Sequence, residues 1–376
     1  MRRSIPPSTI MNPDVLVVGG GPVGLATAIA VRLEGLSATV VERRLPPVEK
    51  ACGEGIMPGG VTLLKKLGVN LPAGGSFRFR GILYQEGHIS TRAHFQGLPG
   101  MGMRRTTLHN ALVQRAKELG VHFLWGRQLR ELLPTGARLS DGMVRSRWTV
   151  AADGLNSGIR RTLGLDGPIR RQRVGLRRHY RIAPWSDLVE VSFTDGCQAY
   201  VTPVAPDQIC VVVLTDNPRQ GFDRLLSRFP LLAHRLQGIR QVSEEQGGAS
   251  VFRGARGVVR GRVALVGDAA VSVDAITGEG VSLGLHQAVA LARSLGRGGL
   301  DEYARAHAGI MGATIRMTRL MLALDRRPRL RRLALGTLQR WPGLFSNLLG
   351  IHTRELSLAQ FCARLIRLDR LGRTHT

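Results

Sequence analysis

The sequence predicts an α/β fold: a Rossmann-like parallel sheet interleaved with a second, β-sheet domain and followed by a helical carboxyl segment. Three observations predict it. Gly19-Gly20-Gly21-Pro22-Val23-Gly24 follows a short apolar run, Ala152-Asp153-Gly154-Leu155-Asn156-Ser157 follows a second, and Gly267-Asp268-Ala269-Ala270 follows a third. Each run reads as a buried parallel strand delivering a glycine-rich turn at its carboxyl end, where ligands bind in such sheets.

The first turn has a full local context. Asp14 to Val18 reads as the strand and Leu25 to Val31 as the helix packed against it. Gly19 permits the tight turn, Gly21 lets a pyrophosphate approach the backbone, and Gly24 lets helix and strand close up. A second strand, Ala38 to Val41, delivers Glu42, an acid placed to accept from a ribose hydroxyl. A dinucleotide is the expected ligand; a merely structural tight turn is the alternative.

The third turn points to FAD rather than to a nicotinamide dinucleotide. Asp268 ends the strand Arg262–Gly267, and Thr277-Gly278-Glu279-Gly280 opens a helix over residues 281–295. A reduced flavin carries negative charge near N1 and the C2 carbonyl, and a helix N-terminus stabilises such an anion. Read as structure alone, Asp268 is a helix cap and the glycines are turn formers.

With these residues in place, the chain resembles the FAD-dependent oxidoreductases that include p-hydroxybenzoate hydroxylase and the geranylgeranyl reductases, over residues 12–325. The resemblance implies non-covalent FAD held by Gly19, Gly21, Pro22, Val23, Gly24, Glu42, Arg43, Arg105, Asp153, Gly154, Asp268, Thr277, Gly278 and Gly280. Arg105-Thr106-Thr107-Leu108 is similar to the family's Arg-x-x-Leu element, with Arg104 a rival for the contact. The family usually has proline where this chain has Ala275.

The remaining elements follow in order. Residues 57–68 read as a short helix ending at Gly68, residues 77–95 as strands, and 106–119 as a helix back into the nucleotide domain. Strands are expected near 121–125 and 145–152, and strand patterns dominate 173–215, with Val211 to Leu214 the clearest. The domain organisation expected is 12–75, 100–168 and 255–325 for the FAD-binding domain, and 76–99 and 169–254 for a substrate-binding sheet. Residues 326–376 form a C-terminal helical segment. Only one complete dinucleotide fingerprint is present, so NAD(P)H is expected as a transient electron donor without a Rossmann domain of its own.

Composition sets limits. The net charge is +26, yet only Lys50, Lys65, Lys66 and Lys117 are lysines and aromatic residues make up 5%. No nucleic-acid module or aromatic–basic interleaving is present, so nucleic acid is not the expected partner. The cysteines Cys52, Cys197, Cys210 and Cys362 have neither metal-ligand spacing nor a disulfide framework, so no metal is expected and a reducing cytoplasm is the simplest compartment. Residues 1–7 lack an apolar signal core.

The substrate side is thinner. Lys50-Ala51-Cys52-Gly53 resembles the Lys-x-Cys-Gly segment of geranylgeranyl reductases, making Cys52 the candidate catalytic residue, a proton donor in alkene reduction, against a small pocket residue as the alternative. Gln198 to Pro203 keeps Tyr200 and Pro203 of the reductases' prenyl-cradling segment but lacks its tryptophan and phenylalanine. His286 is read as a packing residue.

The expected activity is therefore an NAD(P)H-dependent monooxygenase acting on a small apolar or aromatic organic substrate through a flavin C4a-hydroperoxide. Reduction of a carbon–carbon double bond is the alternative, and a non-catalytic flavin-binding partner protein a distant third. From Asp325 to Arg373 apolar residues recur at helical spacing among arginines. Two readings stay open there: helices packed on the flavin domain with solvated arginines, or peripheral contact with the inner face of a membrane.

Overall fold

The computed structural model describes residues 12–217, 219–356 and 360. The expectations for residues 1–7, for Cys362 and for the helical pattern beyond Leu356 lie outside them.

The first sheet has six strands in the spatial order Val259–Arg260, Val263–Leu265, Trp148–Ala151, Val15–Val18, Ala38–Glu42 and His122–Trp125. All neighbours are parallel except the first pair. Its apolar runs are continuous because both faces are covered. Val15, Val17, Val40 and Val150 face the helices α1 (Pro22–Leu33), α2 (Pro58–Lys66) and α3 (Arg105–Glu118). Leu16, Val18, Val41 and Ala151 face the other way, onto Ala137, Leu139 and Val144. Those three belong to a small antiparallel sheet of Leu129–Leu133, Gly136–Leu139 and Gly142–Val144, for which the sequence raised no expectation. The short helix α4 (Gly158–Thr162) follows the Asp153 turn.

The second sheet has eight strands in the order Val271–Ser272, Gln246–Ala255, Asp166–Arg181, Gln208–Thr215, Cys197–Ala205, Leu188–Thr194, Gly81–Glu86 and Ile89–His94. Its chain segments alternate with those of the first sheet, as the interleaving of motifs implied. One face is covered by α5 (Phe222–Leu226) and α6 (Pro230–Leu236), where Phe222, Leu225, Phe229 and Leu236 pack on Val201, Val211 and Val213. The strand Asp166–Arg181 carries Arg171, Arg173, Arg177 and His179 at every second position except Gly175, all buried on the opposite face.

Helix α7 (Gly280–Gly296) packs on α1, and α8 (Asp301–Asp325) packs on α7. At Gly284 an added Cβ would lie 2.2 Å from Val23 Cγ2, so only glycine permits that helix approach. The carboxyl helices α9 (Pro328–Arg340) and α10 (Pro342–His352) pack mainly on the second sheet and also touch the flavin domain, at α8 and through His352 Nε2, which lies 3.0 Å from the Thr277 carbonyl oxygen. Leu335, Phe345 and Leu349 join Ile82, Ala93 and Phe193 there. Nor are all the arginines solvated. Arg331 is 3% exposed and grips Glu86 through two bonds of 2.7 and 2.8 Å. Among the described residues no helix is long and apolar enough to cross a membrane.

On α8, burial pushes His307 down to about 4. Its reference value is about 6.5, so the fold holds the imidazole neutral and the unfolded chain binds the proton first. The stability it contributes is present above about pH 6.5 and is lost as pH falls toward 4, up to roughly 3 kcal/mol. We expect His307→Phe to lower the thermal midpoint less than wild type on going from pH 7 to pH 4.5; equal losses in the two proteins contradict this account.

Candidate functional site

The glycine-rich turn between Val18 and α1 is built by contacts that leave one side open. Gly19 has φ +117°, and a Cβ there would stand 2.3 Å from the Ala152 carbonyl oxygen. A Cβ on Gly24 would stand 1.9 Å from the Gly19 carbonyl oxygen. Gly21 differs: its Cβ would meet only Arg105 Nη2, at 3.8 Å. Gly21 is also the N-cap of α1 and supplies no side-chain cap, so the first amides of the helix point outward without a protein partner. An anion is the natural complement of such a terminus.

Glu42 does more than wait for a ribose. Its Oε2 accepts from the Gly20 amide at 2.8 Å and its Oε1 from the Arg44 amide at 3.0 Å, so the acid also fixes the turn. Arg43 is exposed beside it. His109, buried on α3, donates from Nε2 to the Gly20 carbonyl at 2.9 Å. Burial holds that imidazole below its usual range, against the bond to Gly20, so it is neutral at pH 7. The sequence reading missed His109; its placement one helix position after Arg105-Thr-Thr-Leu108 was the available signal.

Of the two rival arginines, Arg105 approaches Gly21 while Arg104 lies 3.8 Å from Glu49. Asp153 caps α4 through Oδ2, accepting from Gly158 at 2.9 Å and Ile159 at 3.3 Å, while its Oδ1 is buried without a partner. Gly154 has φ +80° and open space where a side chain would be. Arg160 links this turn to the third. It is 1% exposed, pairs with Asp166 at 2.6 Å, and donates to the carbonyls of Leu155, Ala269 and Asp268 at 2.8, 3.0 and 3.2 Å.

Asp268 is half-exposed and pairs with Lys50 at 3.4 Å, which joins the Lys50–Gly53 loop to the third turn. Gly278 takes the left-handed conformation, φ +65°, and Thr277 is buried, its hydroxyl on the Asp274 carbonyl at 3.2 Å. Gly280 opens α7, again without a side-chain cap. Where the family usually has proline, the Ala275 amide donates to Ser250 Oγ at 2.9 Å, a bond that proline cannot make.

These features fit an FAD. Two uncapped helix N-termini, the open side of Gly21, the spare oxygen of Asp153 and the guanidinium of Arg105 offer donors and acceptors of the kinds a pyrophosphate, a ribityl chain and an anionic ring require.

Cys52 is half-buried, and its sulfur accepts from the Glu54 amide at 3.4 Å. Two residues on stands a carboxylate that sequence reasoning did not single out. Glu54 is buried at φ +60° and receives the Arg105 amide at 3.0 Å, Arg177 Nη1 at 3.2 Å and His179 Nε2 at 2.6 Å. His179 Nδ1 lies 2.8 Å from Ser243 Oγ. Ligand atoms of Glu54, His179 and Cys210 lie within 4.8 Å of one another. The Arg177 guanidinium occupies the carboxylate and burial pushes the Cys210 thiol up, so the trio's chemistry is that of an ion-paired knot. A second knot surrounds Asp325, which accepts from Gln198 at 2.6 Å and Arg171 at 3.1 Å; Arg173 pairs with Asp274 beside the flavin-side loop. Tyr200 donates to Gln198 at 2.5 Å, and burial raises its phenol well above the usual range. His286 is pushed down to about 4, by burial first and then by Arg354 and Lys66, as suits a neutral packing residue.

Comparison with known proteins agrees with this geometry. The family described as FAD binding domain matches residues 12–202. The chain is 26% identical over 310 residues to dialkyldecalin synthase of Streptomyces rugosporus, covering 75% of this chain and 64% of that protein. It is 25% identical over 324 residues to menaquinone reductase of Mycolicibacterium smegmatis, 78% of each chain. With 6-methylpretetramide 4-monooxygenase of Streptomyces rimosus it shares 28% over 327 residues, 76% of this chain and 75% of the other. Among solved structures, OxyS anhydrotetracycline hydroxylase from Streptomyces rimosus superposes with a TM-score of 0.72 at 25% identity, over 92% of this chain and 76% of that one. The p-nitrophenol 4-monooxygenase PnpA from Pseudomonas putida DLL-E4 gives 0.79 at 20% identity, over 92% and 98%, and so shares the fold.

The two glycines separate folding from binding. Gly19→Val meets backbone at a left-handed φ and is expected to abolish folding. Gly21→Val meets almost nothing and is expected to melt as wild type but to purify with little FAD, as is Asp268→Ala. Full flavin absorbance in both folded variants contradicts the assignment.

Proposed function

This chain belongs to the FAD binding domain family, and we propose that it is an NAD(P)H-dependent monooxygenase hydroxylating or epoxidising a small apolar or aromatic organic substrate. The observation that carries the proposal is the assembled cradle: Arg160 ties the second glycine-rich turn to the third, and Gly19 and Gly24 of the first close on Ala152, in a chain that aligns over three quarters of its length with a named monooxygenase. The chain spans 64% of the dialkyldecalin synthase and 75% of the 6-methylpretetramide 4-monooxygenase, so its own substrate is a matter of proposal.

Bound FAD supplies two-electron exchange with the nicotinamide and the activation of dioxygen; the protein binds, orients and excludes water. The amides at the start of α1, with Arg105, would hold the pyrophosphate. Glu42 would accept from the adenosine ribose while keeping its bond to Gly20, and Asp268 would accept from the ribityl chain. The start of α7, with its partial positive charge, would face the part of the ring that becomes anionic on reduction. The buried face of the second sheet would form the roof of the substrate space. Arg173, Gln198 and Tyr200 have their polar groups tied to neighbours, which keeps them from competing for an apolar substrate. With one dinucleotide-binding unit among the described residues, the nicotinamide donor would approach the same cradle transiently.

One observation favours reduction of a carbon–carbon double bond as a second reading. The Lys50–Asp268 pair draws the Cys52 loop toward the third turn, where a thiol could give up a proton.

Under the monooxygenase reading, NADPH consumption requires oxygen for product formation, and labelled dioxygen places one labelled atom in the product. Cys52→Ala is expected to change that rate less than about threefold. Anaerobic turnover that saturates a double bond, with a loss on the order of 100-fold in Cys52→Ala, establishes the reductase instead.

A further inference from the structure

The inner face of α9 is accounted for by the second sheet; its outer face is not. Leu330, Leu333 and, just past the helix, Trp341 are 46%, 68% and 61% exposed. At 100° per residue these three and Thr337 fall within an arc of roughly 80°, whereas Arg331, Leu335 and Leu338 point to the opposite side and meet Glu86, Ala93 and Phe193. Arg329 and Arg340 border the apolar stripe, and Arg326 and Arg327 stand at the corner where α8 turns into α9. Among the described residues none of these four arginines pairs with an acid. Between Asp325 and Glu355 there is no acidic residue. Arg332, by contrast, is held by Glu86 at 3.0 Å and belongs to the inner anchorage.

We propose that this face of α9 docks the protein on an anionic lipid surface. Leu330, Leu333 and Trp341 enter the headgroup–acyl boundary, where an indole is favoured, and the flanking arginines meet lipid phosphates. Charge complementarity selects this occupant. A second copy of the chain would bring the same unpaired arginines against each other, and a net charge of +26 opposes that approach. The helix is fixed to the sheet by Arg331 and Leu335, so the stripe is presented rigidly rather than assembled on contact. Docking is independent of the reaction proposed above: it concerns where the enzyme sits, and it can fail while the oxygen chemistry stands.

The test is co-sedimentation of the full-length holoprotein with vesicles of phosphatidylcholine alone or with phosphatidylglycerol, at low and moderate salt. Wild type is expected to bind the anionic vesicles, to bind the neutral ones weakly, and to lose affinity as salt rises. Leu333→Asp/Trp341→Ala and, separately, Arg329→Gln/Arg340→Gln should each weaken anionic binding by roughly tenfold or more. Both pairs lie at exposed positions, so melting and flavin content should match wild type. No binding to anionic vesicles at low salt overturns the proposal. So does full binding by both variants, which assigns the contact to another part of the chain. Self-association abolished by the same substitutions in the absence of lipid gives the stripe to a second copy and overturns it as well.

Discussion

The cofactor cradle depends on one buried guanidinium. Arg160 has to be satisfied where water cannot reach it, because an unpaired buried charge costs several kcal/mol. Its neighbours meet that demand with one carboxylate, Asp166, and three backbone carbonyls from two separate turns. The turn after Ala151 and the turn after Leu265 are thereby held in one register, and strand Asp166–Arg181 of the second sheet starts from the same point. The distance between the two turns is thus set by a side chain belonging to neither.

The same chemistry joins the two sheets. Strand Asp166–Arg181 presents Arg171, Arg173, Arg177 and His179 to the nucleotide domain, and each finds an acid there or on the helix leading away from it. The pairs cost desolvation and are weak evidence for stability. What they provide is position. Glu54 takes three donors from two elements, one of them the first amide of α3, which carries Arg105 toward the Gly21 turn. Asp274 is held by Arg173 while its own Oδ1 accepts from Ile276 within the loop before Gly278. The second sheet therefore grips both loops.

The carboxyl helices have two faces with different tasks. Tyr84, stacked on Phe345 with ring centres 5.0 Å apart and edge-on to Phe193, roots α10 in the second sheet. The bidentate Arg331–Glu86 pair roots α9. The four arginines of α9 look alike in the sequence; Arg331 becomes an internal anchor, Arg332 a supporting contact, and Arg329 and Arg340 stay exposed.

Sequence alone determined the strand–turn–helix at Gly19–Gly24, the acid at Glu42 and the interleaving of two sheets. These rest on local chemistry: a glycine that must accept a forbidden φ, an apolar run buried on both faces, an acid a fixed number of residues after a turn. It gave no strands for residues 129–144, whose Leu, Ala and Val contacts become recognisable only against the back of the first sheet. It also gave no role to Glu54, His109, Arg160 or Arg173. Charged residues in a strand read as a solvated face until their partners are known, and those partners lie up to 154 residues away, as for Arg171 and Asp325. Only tertiary structure could decide which arginines are buried, because burial of a charge is decided by the acid or carbonyl that meets it, and that meeting is made by the fold.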